Sequence, residues 1–197
     1  MIFKIFWILR GLIYKPFFGK FAFPSYIGKP IFIGNFKRIF IGKKVRIMPN
    51  ARIEVVDKNS SIVFEDNISI AQNLHIISGG NQELRIGKNT TFSANVFITN
   101  VDHEYQDIDT HIMKQKLIFN KTQIGENCFI GYGAVIQAGT ILGKQCIVGA
   151  NAVVRGTFPD YCVIVGIPAK IVKRYDEKSA VWKKTNAKGE FLDEISK

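Results

Sequence analysis

The chain has 197 residues and a formal net charge of +11, with 47% apolar and 22% charged residues. This size and composition fit one globular domain with a short appendage and exclude a disordered chain. The charge is unevenly distributed, because residues 1–53 carry 11 basic side chains and no acidic one, and half of the aromatic residues lie in residues 1–40. The basic and aromatic character therefore belongs to the N-terminal part of the chain.

Three cysteines, Cys128, Cys146 and Cys162, lack C-x-x-C spacing. This pattern argues against a disulfide scaffold or a zinc ribbon and predicts a reducing compartment without a metal site. The longest N-terminal apolar run, Ile5–Leu9, is too short to span a bilayer. We also expect no signal peptide, because no longer apolar stretch precedes a small-residue cleavage site.

Residues 1–30 are predicted to form a basic and aromatic segment with an amphipathic helix over residues 2–14. Two interpretations stay open and are compatible with each other. In one, the apolar face packs on the remaining fold or builds an oligomer. In the other, residues 1–20 bind a membrane surface, where aromatic and cationic side chains favour anionic headgroups. The segment has no RNA-binding signature, so we expect no nucleic-acid partner.

Residues 124–159 read as six consecutive hexads: IGENCF, IGYGAV, IQAGTI, LGKQCI, VGANAV and VRGTFP. Each begins with an aliphatic residue, and the first five have a slim residue at position five. The same phase starts at Ile41 and Ile86, and a weaker pattern runs over residues 59–85 through Ile62, Ile68 and Leu74. A period of six matches neither an amphipathic helix nor an alternating strand.

This period predicts an all-β fold of short strands and turns, wound into a triangular coil of about 18 residues that stacks at about 4.8 Å. The coil domain is assigned to residues 31–174. A sandwich of short strands is the alternative, but its strands would not hold a fixed six-residue phase. The phase breaks over residues 100–123, which predicts an inserted functional loop. Residues 175–197 are predicted to be a polar tail with a small hairpin about Asn186–Gly189, between Val181-Trp182 and Phe191-Leu192.

The hexads, the Asp102-His103 pair at the start of the loop, and the motifs IGYGAVI, VGANAVV and VGIPAK resemble the hexapeptide-repeat acyltransferases. The resemblance covers about residues 30–174 and is closest to the galactoside, maltose and nodulation-type sugar O-acetyltransferases. The D-H-x-Y-x-D loop with the basic, aromatic N-terminus more closely resembles enzymes encoded with surface-polysaccharide synthesis. The resemblance implies a left-handed parallel β-helix, a homotrimer with sites between neighbouring coils, acetyl-CoA as cosubstrate and a saccharide acceptor. It also implies a cytoplasmic protein, at the inner face of the membrane if the N-terminal segment binds lipid.

By the same resemblance His103 is the general base, since it follows Ile86 by the spacing seen in the sugar acetyltransferases. The chemistry agrees, because a neutral imidazole can take the proton of an attacking hydroxyl at neutral pH. The other histidines are predicted to be bystanders: His75, with a substrate contact as its alternative, and His111, a loop residue. The candidates for acceptor binding are Asp102, Asp107 and Asn73, and the two loop carboxylates are equally well explained as solvated acids.

The cofactor contacts carried over from the resemblance lie in the second half of the coil. The main-chain groups of Tyr132 and Ala150 are expected to bind the pantetheine amides, and Phe129 stands where sugar acetyltransferases often carry tryptophan. Arg155 falls in the CoA region. The cations after the VGIPAK turn suit the 3′-phosphate of CoA, although plain surface lysines are the alternative; they are Lys170, Lys173 and Arg174.

We therefore expect an acetyl-CoA-dependent O-acetyltransferase that acts on a sugar hydroxyl in the assembly of a capsule, O-antigen or other glycan. N-acetylation of an amino-sugar precursor is the second hypothesis, because the same base and cofactor groove would serve it. A catalytically silent β-helix scaffold is the third.

Overall fold

The computed structural model describes residues 2–192, which form a short helix, a three-sided coil of parallel strands and a C-terminal antiparallel hairpin. The helix α1 spans Ile2–Tyr14. The strands of the first four rungs are β1 Lys20–Phe21, β2 Tyr26–Ile27, β3 Phe32–Gly34, β4 Ile39–Ile41, β5 Arg46–Ile47, β6 Arg52–Val55, β7 Ser61–Phe64, β8 Ser69–Ile70, β9 His75–Ser78, β10 Glu83–Ile86, β11 Thr91–Phe92 and β12 Phe97–Thr99. The inserted loop contributes β13 Val101–His103 and β14 Leu117–Phe119. The remaining strands are β15 Gln123–Ile124, β16 Phe129–Ile130, β17 Val135–Ile136, β18 Ile141–Leu142, β19 Ile147–Val148, β20 Val153–Val154, β21 Thr157–Phe158, β22 Cys162–Gly166, β23 Ala169–Asp176 and β24 Val181–Lys184.

Three parallel sheets form the sides of the prism. The first sheet has the order β1-β4-β7-β10-β15-β18-β21, and the second has the order β2-β5-β8-β11-β16-β19-β22, extended by antiparallel β23 and β24. The third sheet has the order β3-β6-β9-β12-β17-β20. Each rung contributes one strand to each sheet, so the chain completes six rungs. The predicted fold class, an all-β parallel β-helix with an inserted loop and an N-terminal helix, is confirmed.

The core is a stack of aliphatic and aromatic side chains inside the prism. The second residue of each hexad strand points inward and is buried, as in Ile124, Ile130 and Ile136. Burying such a side chain stabilises the fold by about 1.5–3 kcal/mol. The aliphatic residue that begins each hexad is therefore the residue that fills the core.

The rungs differ in length, and the difference lies at one corner. In the fifth rung the repeat is 18 residues, since Gln123 pairs with Ile141 and Val135 pairs with Val153. Earlier rungs are longer, as the pairing of Arg52 with His75 shows. The extra residues lie where the chain passes from the third sheet to the first sheet of the next rung, which we call the third corner.

Two sequence expectations need correction on this point. Over residues 59–85 the core phase is Phe64, Ile70 and Ile76, whereas Ile68 and Leu74 occupy the buried position before a strand. Because of the extra residues at the third corner, the inward-pointing residue of each strand in this rung lies two positions after the residue that the hexad pattern predicted. The boundary set at residue 30 also falls inside the coil, because residues 20–27 already pair with the second rung.

The cysteines occupy the slim position of the first corner, between the first and second sheets. Cys128 Sγ lies 3.2 Å from the Gly143 carbonyl oxygen of the next rung, and Cys146 Sγ lies 3.2 Å from that of Pro159. Thr90 Oγ1 makes the same contact in the rung below. These cysteines are buried and form no disulfide among the described residues, so they serve as small corner residues.

The small hairpin predicted about Asn186–Gly189 is present, since Thr185 and Phe191 form an antiparallel bridge and the Leu192 amide donates to the Lys184 carbonyl. In addition, Val181–Lys184 pairs with β23, which extends the second sheet. The last residues of the predicted tail, 193–197, lie outside the described part of the chain.

Candidate functional site

The inserted loop leaves the prism at the third corner, and both of its ends are fastened. Asn100 is fully buried; its Oδ1 accepts from the Gly79 amide at 2.8 Å and its Nδ2 donates to the Gly79 carbonyl at 2.9 Å. At the other end, Thr122 Oγ1 donates to the Thr99 carbonyl at 3.0 Å. The residues that start and end the loop are thus bonded to neighbouring backbone, which fixes the position of the loop root.

Phe119 adds a packing contact to this root. It pairs with Val101 across the β13–β14 ribbon, and its ring lies over Gly79 and Gly80 of the third rung. Gly80 has φ +75°, and a Cβ there would stand 2.7 Å from Phe119 Cδ1. A side chain at residue 80 would displace Phe119, so the close approach requires glycine.

His103 lies on this anchored ribbon, opposite Leu117. Its ring is partly buried, and Nδ1 has no hydrogen-bond partner among the described residues. A buried polar nitrogen without a partner is costly, so this ring position is unusual for a purely structural histidine. The backbone amide of His103 donates to Asp102 Oδ1 at 2.9 Å.

The carboxylate of Asp102 therefore contacts the main chain of His103. Its other oxygen, Oδ2, lies 3.6 Å from Arg155 Nη1. Arg155 follows β20 at the third corner of the sixth rung, so this ion pair joins the loop root to a later rung. The structure thus groups Arg155 with the predicted catalytic pair.

Other predicted cofactor residues lie at the second corner, between the second and third sheets. Tyr132 and Ala150 occupy equivalent positions one rung apart, and the Asn151 amide donates to the Tyr132 carbonyl at 2.7 Å. The Tyr132 hydroxyl accepts from Asn95 Nδ2. A Cβ at Gly131 would stand 2.7 Å from the Ala150 nitrogen, so the backbones of the two rungs are in close contact here.

A strip of apolar residues runs along the outside of the second sheet. Phe129 pairs with Ile147 and Ile147 with Val163, and the first two are exposed by 45% and 37%. The next strand places Lys173 opposite Val163 and Lys170 opposite Val165, with both lysines exposed. An apolar strip that ends at two cations matches the chemistry of an acyl-pantetheine arm followed by phosphates.

One copy of the chain does not bring all these residues together. His103, Asp102 and Arg155 lie at the third corner, whereas Phe129, Tyr132, Ala150, Lys170 and Lys173 lie at the second corner and on the second sheet. The third sheet separates the two groups. One copy therefore does not form a single site from all of these residues.

The other two residues predicted to bind the acceptor, Asn73 and Asp107, make hydrogen bonds within the chain. Asn73 has φ 63° at the second corner, and its Nδ2 donates to Asn95 Oδ1 at 2.7 Å, as one step of a corner ladder. Asp107 is exposed, and its backbone bonds Gln115. A sugar contact by either residue stays a prediction.

The other two histidines differ in environment. His111 Nδ1 accepts from the Met113 amide and caps the 3-10 turn Ile112–Lys114. The side chain of His75 lies on the outer face of the third sheet, with its ring centroid 5.1 Å from that of Phe97. Burial, and then the charge of Arg52, lower the pKa of His75, so its ring favours the neutral form. Its Nε2 is buried without a partner in the described chain.

The sequence analysis did not predict the residues that fix the position of the loop root. Asn100, Gly80 and Phe119 fix the loop root, yet none was predicted to act there. The loop has a Thr-Asn step just before the phase break, which was the available signal for Asn100. Within residues 2–192, no three His, Cys, Asp or Glu side chains cluster as metal ligands, and no helix has the length and apolarity to cross a membrane.

Residues 121–156 match the family described as bacterial transferase hexapeptide, six repeats. A protein of Escherichia coli named as a lipopolysaccharide biosynthesis O-acetyl transferase, WbbJ, is 32% identical over 62% of this chain and 65% of its own length. A protein of Saccharomyces cerevisiae named as an acetyltransferase is 31% identical over 63% of this chain and 61% of its own length. This chain therefore spans less than two thirds of the length of these relatives.

A solved structure shares the hexapeptide-repeat fold over a larger part of the chain. The N-acyltransferase AntD from Bacillus cereus, in complex with dTDP and 3-hydroxybutyryl-CoA, aligns with a TM-score of 0.72 over 86% of this chain and 90% of its own. The two sequences are 18% identical. The comparison therefore establishes a common fold.

Proposed function

We propose that this hexapeptide-repeat protein is an acetyl-CoA-dependent O-acetyltransferase that acetylates a sugar hydroxyl in surface-polysaccharide biosynthesis, such as that of a capsule or O-antigen. The observation that carries the proposal is His103, a partly buried imidazole with an unpartnered nitrogen on an anchored loop root. The similarity to a named lipopolysaccharide O-acetyl transferase supports the reaction class.

The mechanism is direct transfer with His103 as general base. Its imidazole takes the proton of the acceptor hydroxyl while the hydroxyl oxygen attacks the thioester carbonyl. The tetrahedral intermediate collapses, the carbon–sulfur bond breaks, and the imidazolium returns the proton to the leaving thiolate. Backbone amides are suitable donors for the developing oxyanion. Asp102 contributes by fixing the backbone of His103, and Asp107 and Asn73 are proposed to contact the saccharide.

The acyl-CoA would lie on the second sheet, on the strip from Phe129 to Lys173. Tyr132 and Ala150 would offer main-chain groups to the pantetheine amides, and Lys170 and Lys173 would bind the phosphates. Arg155 lies with Asp102, so it would reach CoA only at the loop root.

A homotrimer accounts for the separation of the two residue groups. In that assembly the second sheet of one copy would face the loop root of the next, and each site would contain both groups. We propose a cytoplasmic enzyme held at the inner face of the membrane by residues 1–20, which carry exposed apolar and cationic side chains.

N-acetylation of an amino sugar is the second candidate, because the fold is shared with an N-acyltransferase and the same base would serve an amine. A panel of sugars and amino sugars incubated with acetyl-CoA, read by CoA release and product mass, separates the two. The His103→Gln variant should lose at least about 10²-fold in turnover while keeping the oligomeric state and Tm of the wild type. Equal turnover in the two proteins would refute the role of His103, and no CoA release with any acceptor would favour a scaffold.

A further inference from the structure

The helix α1 lies across the open N-terminal end of the prism. The strands β1, β2 and β3 are the edge strands of their sheets, so alternate backbone amides and carbonyls of the first rung point toward this end with no neighbouring strand. Arg10 Nη1 lies 3.4 Å from the Ile27 carbonyl oxygen, and Gly11 stands against the Phe21 ring and the Ser25 carbonyl. The helix therefore covers backbone that has no rung beneath it.

The opposite face of α1 is apolar and exposed. At 100° per residue, Trp7, Gly11 and Tyr14 share one side of the helix. The Trp7 ring packs on Tyr26, and the Tyr14 ring packs on Phe36. The other side carries five apolar side chains that are 49–66% exposed, namely Ile5, Phe6, Leu9, Leu12 and Ile13. With Phe17 and Phe23, also exposed, these residues form what we call the apolar end surface.

The part of the sequence that contains this surface is rich in basic residues and has no acidic residue. Residues 1–53 contain 11 basic and no acidic side chains. The exposed lysines of the helix and first two rungs are Lys4, Lys15, Lys20, Lys29, Lys37, Lys43 and Lys44. A helix that is apolar on its free face and has the exposed cations Lys4 and Lys15 beside that face is complementary to an anionic bilayer surface. With 13 residues it lies on the bilayer and does not cross it.

This placement sets the height of the catalytic loop above the bilayer. The loop leaves after β12, which lies three strands beyond β3 in the third sheet. Three rung spacings of about 4.8 Å put the loop root about 14 Å above the first rung. The first rung is itself separated from the lipid by α1, whose diameter is about 10 Å. An acceptor held in the same membrane must extend over this distance to reach His103.

We infer that the acceptor is a membrane-held saccharide, linked to a lipid anchor and several sugars long, which the enzyme reaches while its apolar end surface lies in an anionic bilayer. This inference rests on the proposed function and adds the acceptor class to it. The prism acts as a spacer, so the acetylated sugar lies some distance from the lipid.

Flotation of the full chain with phosphatidylglycerol-containing vesicles tests the membrane contact. The wild type should float with these vesicles and remain unbound to phosphatidylcholine vesicles. The Leu9→Glu/Ile13→Glu variant should bind at least about tenfold more weakly, because both side chains are at least half exposed on the apolar end surface. Val181→Glu/Leu192→Glu is the matched control, since it makes the same charge change at similar exposure, 49% and 51%, on the opposite end. This control should bind as the wild type does.

Acetyl transfer then separates the inference from the proposed function. On a soluble oligosaccharide, the wild type and Leu9→Glu/Ile13→Glu should have equal kcat/KM. On a lipid-linked oligosaccharide in the vesicles the variant should be at least about tenfold slower, and a lipid-linked single sugar should be a poor acceptor for both. No transfer by the wild type to any acceptor would overturn the proposed function instead.

Three results would overturn the inference while transfer to soluble sugars persists. The first is equal vesicle binding by the wild type and Leu9→Glu/Ile13→Glu. The second is equal transfer to lipid-linked acceptors with one sugar and with several sugars. The third is a wild type that binds no vesicles but doubles in mass as its concentration rises, with this doubling lost in the variant. The last would mean that the apolar end surface joins two copies.

Discussion

Substituting Gly80 by alanine tests whether the loop root positions the general base. The added Cβ would stand 2.7 Å from Phe119 Cδ1 and closer still to its Cβ and Cγ, so Phe119 must move by roughly 1 Å or more to reach an ordinary contact. Phe119 pairs with Val101, two residues before His103, and the ribbon would carry the shift to the imidazole. A 1 Å misplacement of a catalytic group can cost about 10²-fold in rate.

The control is Gly139→Ala, at the same corner two rungs later. Both glycines have positive φ, +75° and +87°, so both substitutions carry a backbone cost of about 1–2 kcal/mol. At Gly139 the added Cβ would meet Asn120 Cβ at an ordinary 3.4 Å. Thermal unfolding and steady-state acetyl transfer should therefore show a lower Tm in both variants and a large loss of kcat only in Gly80→Ala. Equal kcat in the two variants would refute the idea that Phe119 and Gly80 position His103.

Further predictions concern the cofactor, the ion pair and pH. Lys170→Ala should raise the KM of acetyl-CoA and leave that of its 3′-dephospho analogue unchanged; equal shifts would contradict a phosphate contact. Arg155→Ala should change the unfolding free energy by less than about 1 kcal/mol, because its pair with Asp102 is largely exposed, yet raise the KM of acetyl-CoA. For His75 the folded pKa is lowered, so below about pH 6.5 the unfolded chain binds a proton that the folded chain does not, and stability falls as pH decreases. His75→Phe should narrow the difference in Tm between about pH 8 and about pH 5, and an unchanged difference would show that other groups cause the acid sensitivity.

The regular half of the fold could be predicted because its pattern is local. Between Ile124 and Val154 each hexad fills one side of the prism, and sequence spacing alone gives the core positions. The pattern is weaker where the third corner holds extra residues, which moved the expected phase from Phe64 to Ile62. The first rung was missed because Pro24 and Pro30 lie between its strands, which made this stretch read as the exit of the N-terminal segment.

The residues proposed for catalysis stay a prediction, and the contacts that hold them could not be predicted from the sequence. His103 is marked by its position at the phase break, which is visible in the sequence. The contacts that hold it join residues about twenty or more positions apart, as Asn100 does with Gly79 and Asp102 with Arg155. The length of each rung sets these partners, and rung length varies along the chain. No local motif specifies them.

The third corner also shows how a repeat of this kind can acquire new recognition properties. Every longer rung has its extra residues at the third corner, while the strands of the three sheets keep their parallel pairing. Insertions of different length and composition could therefore be accommodated at the third corner without a change in the strand pairing of the coil. Acceptor preference could then change among such proteins independently of the second sheet, where we propose that acyl-CoA binds.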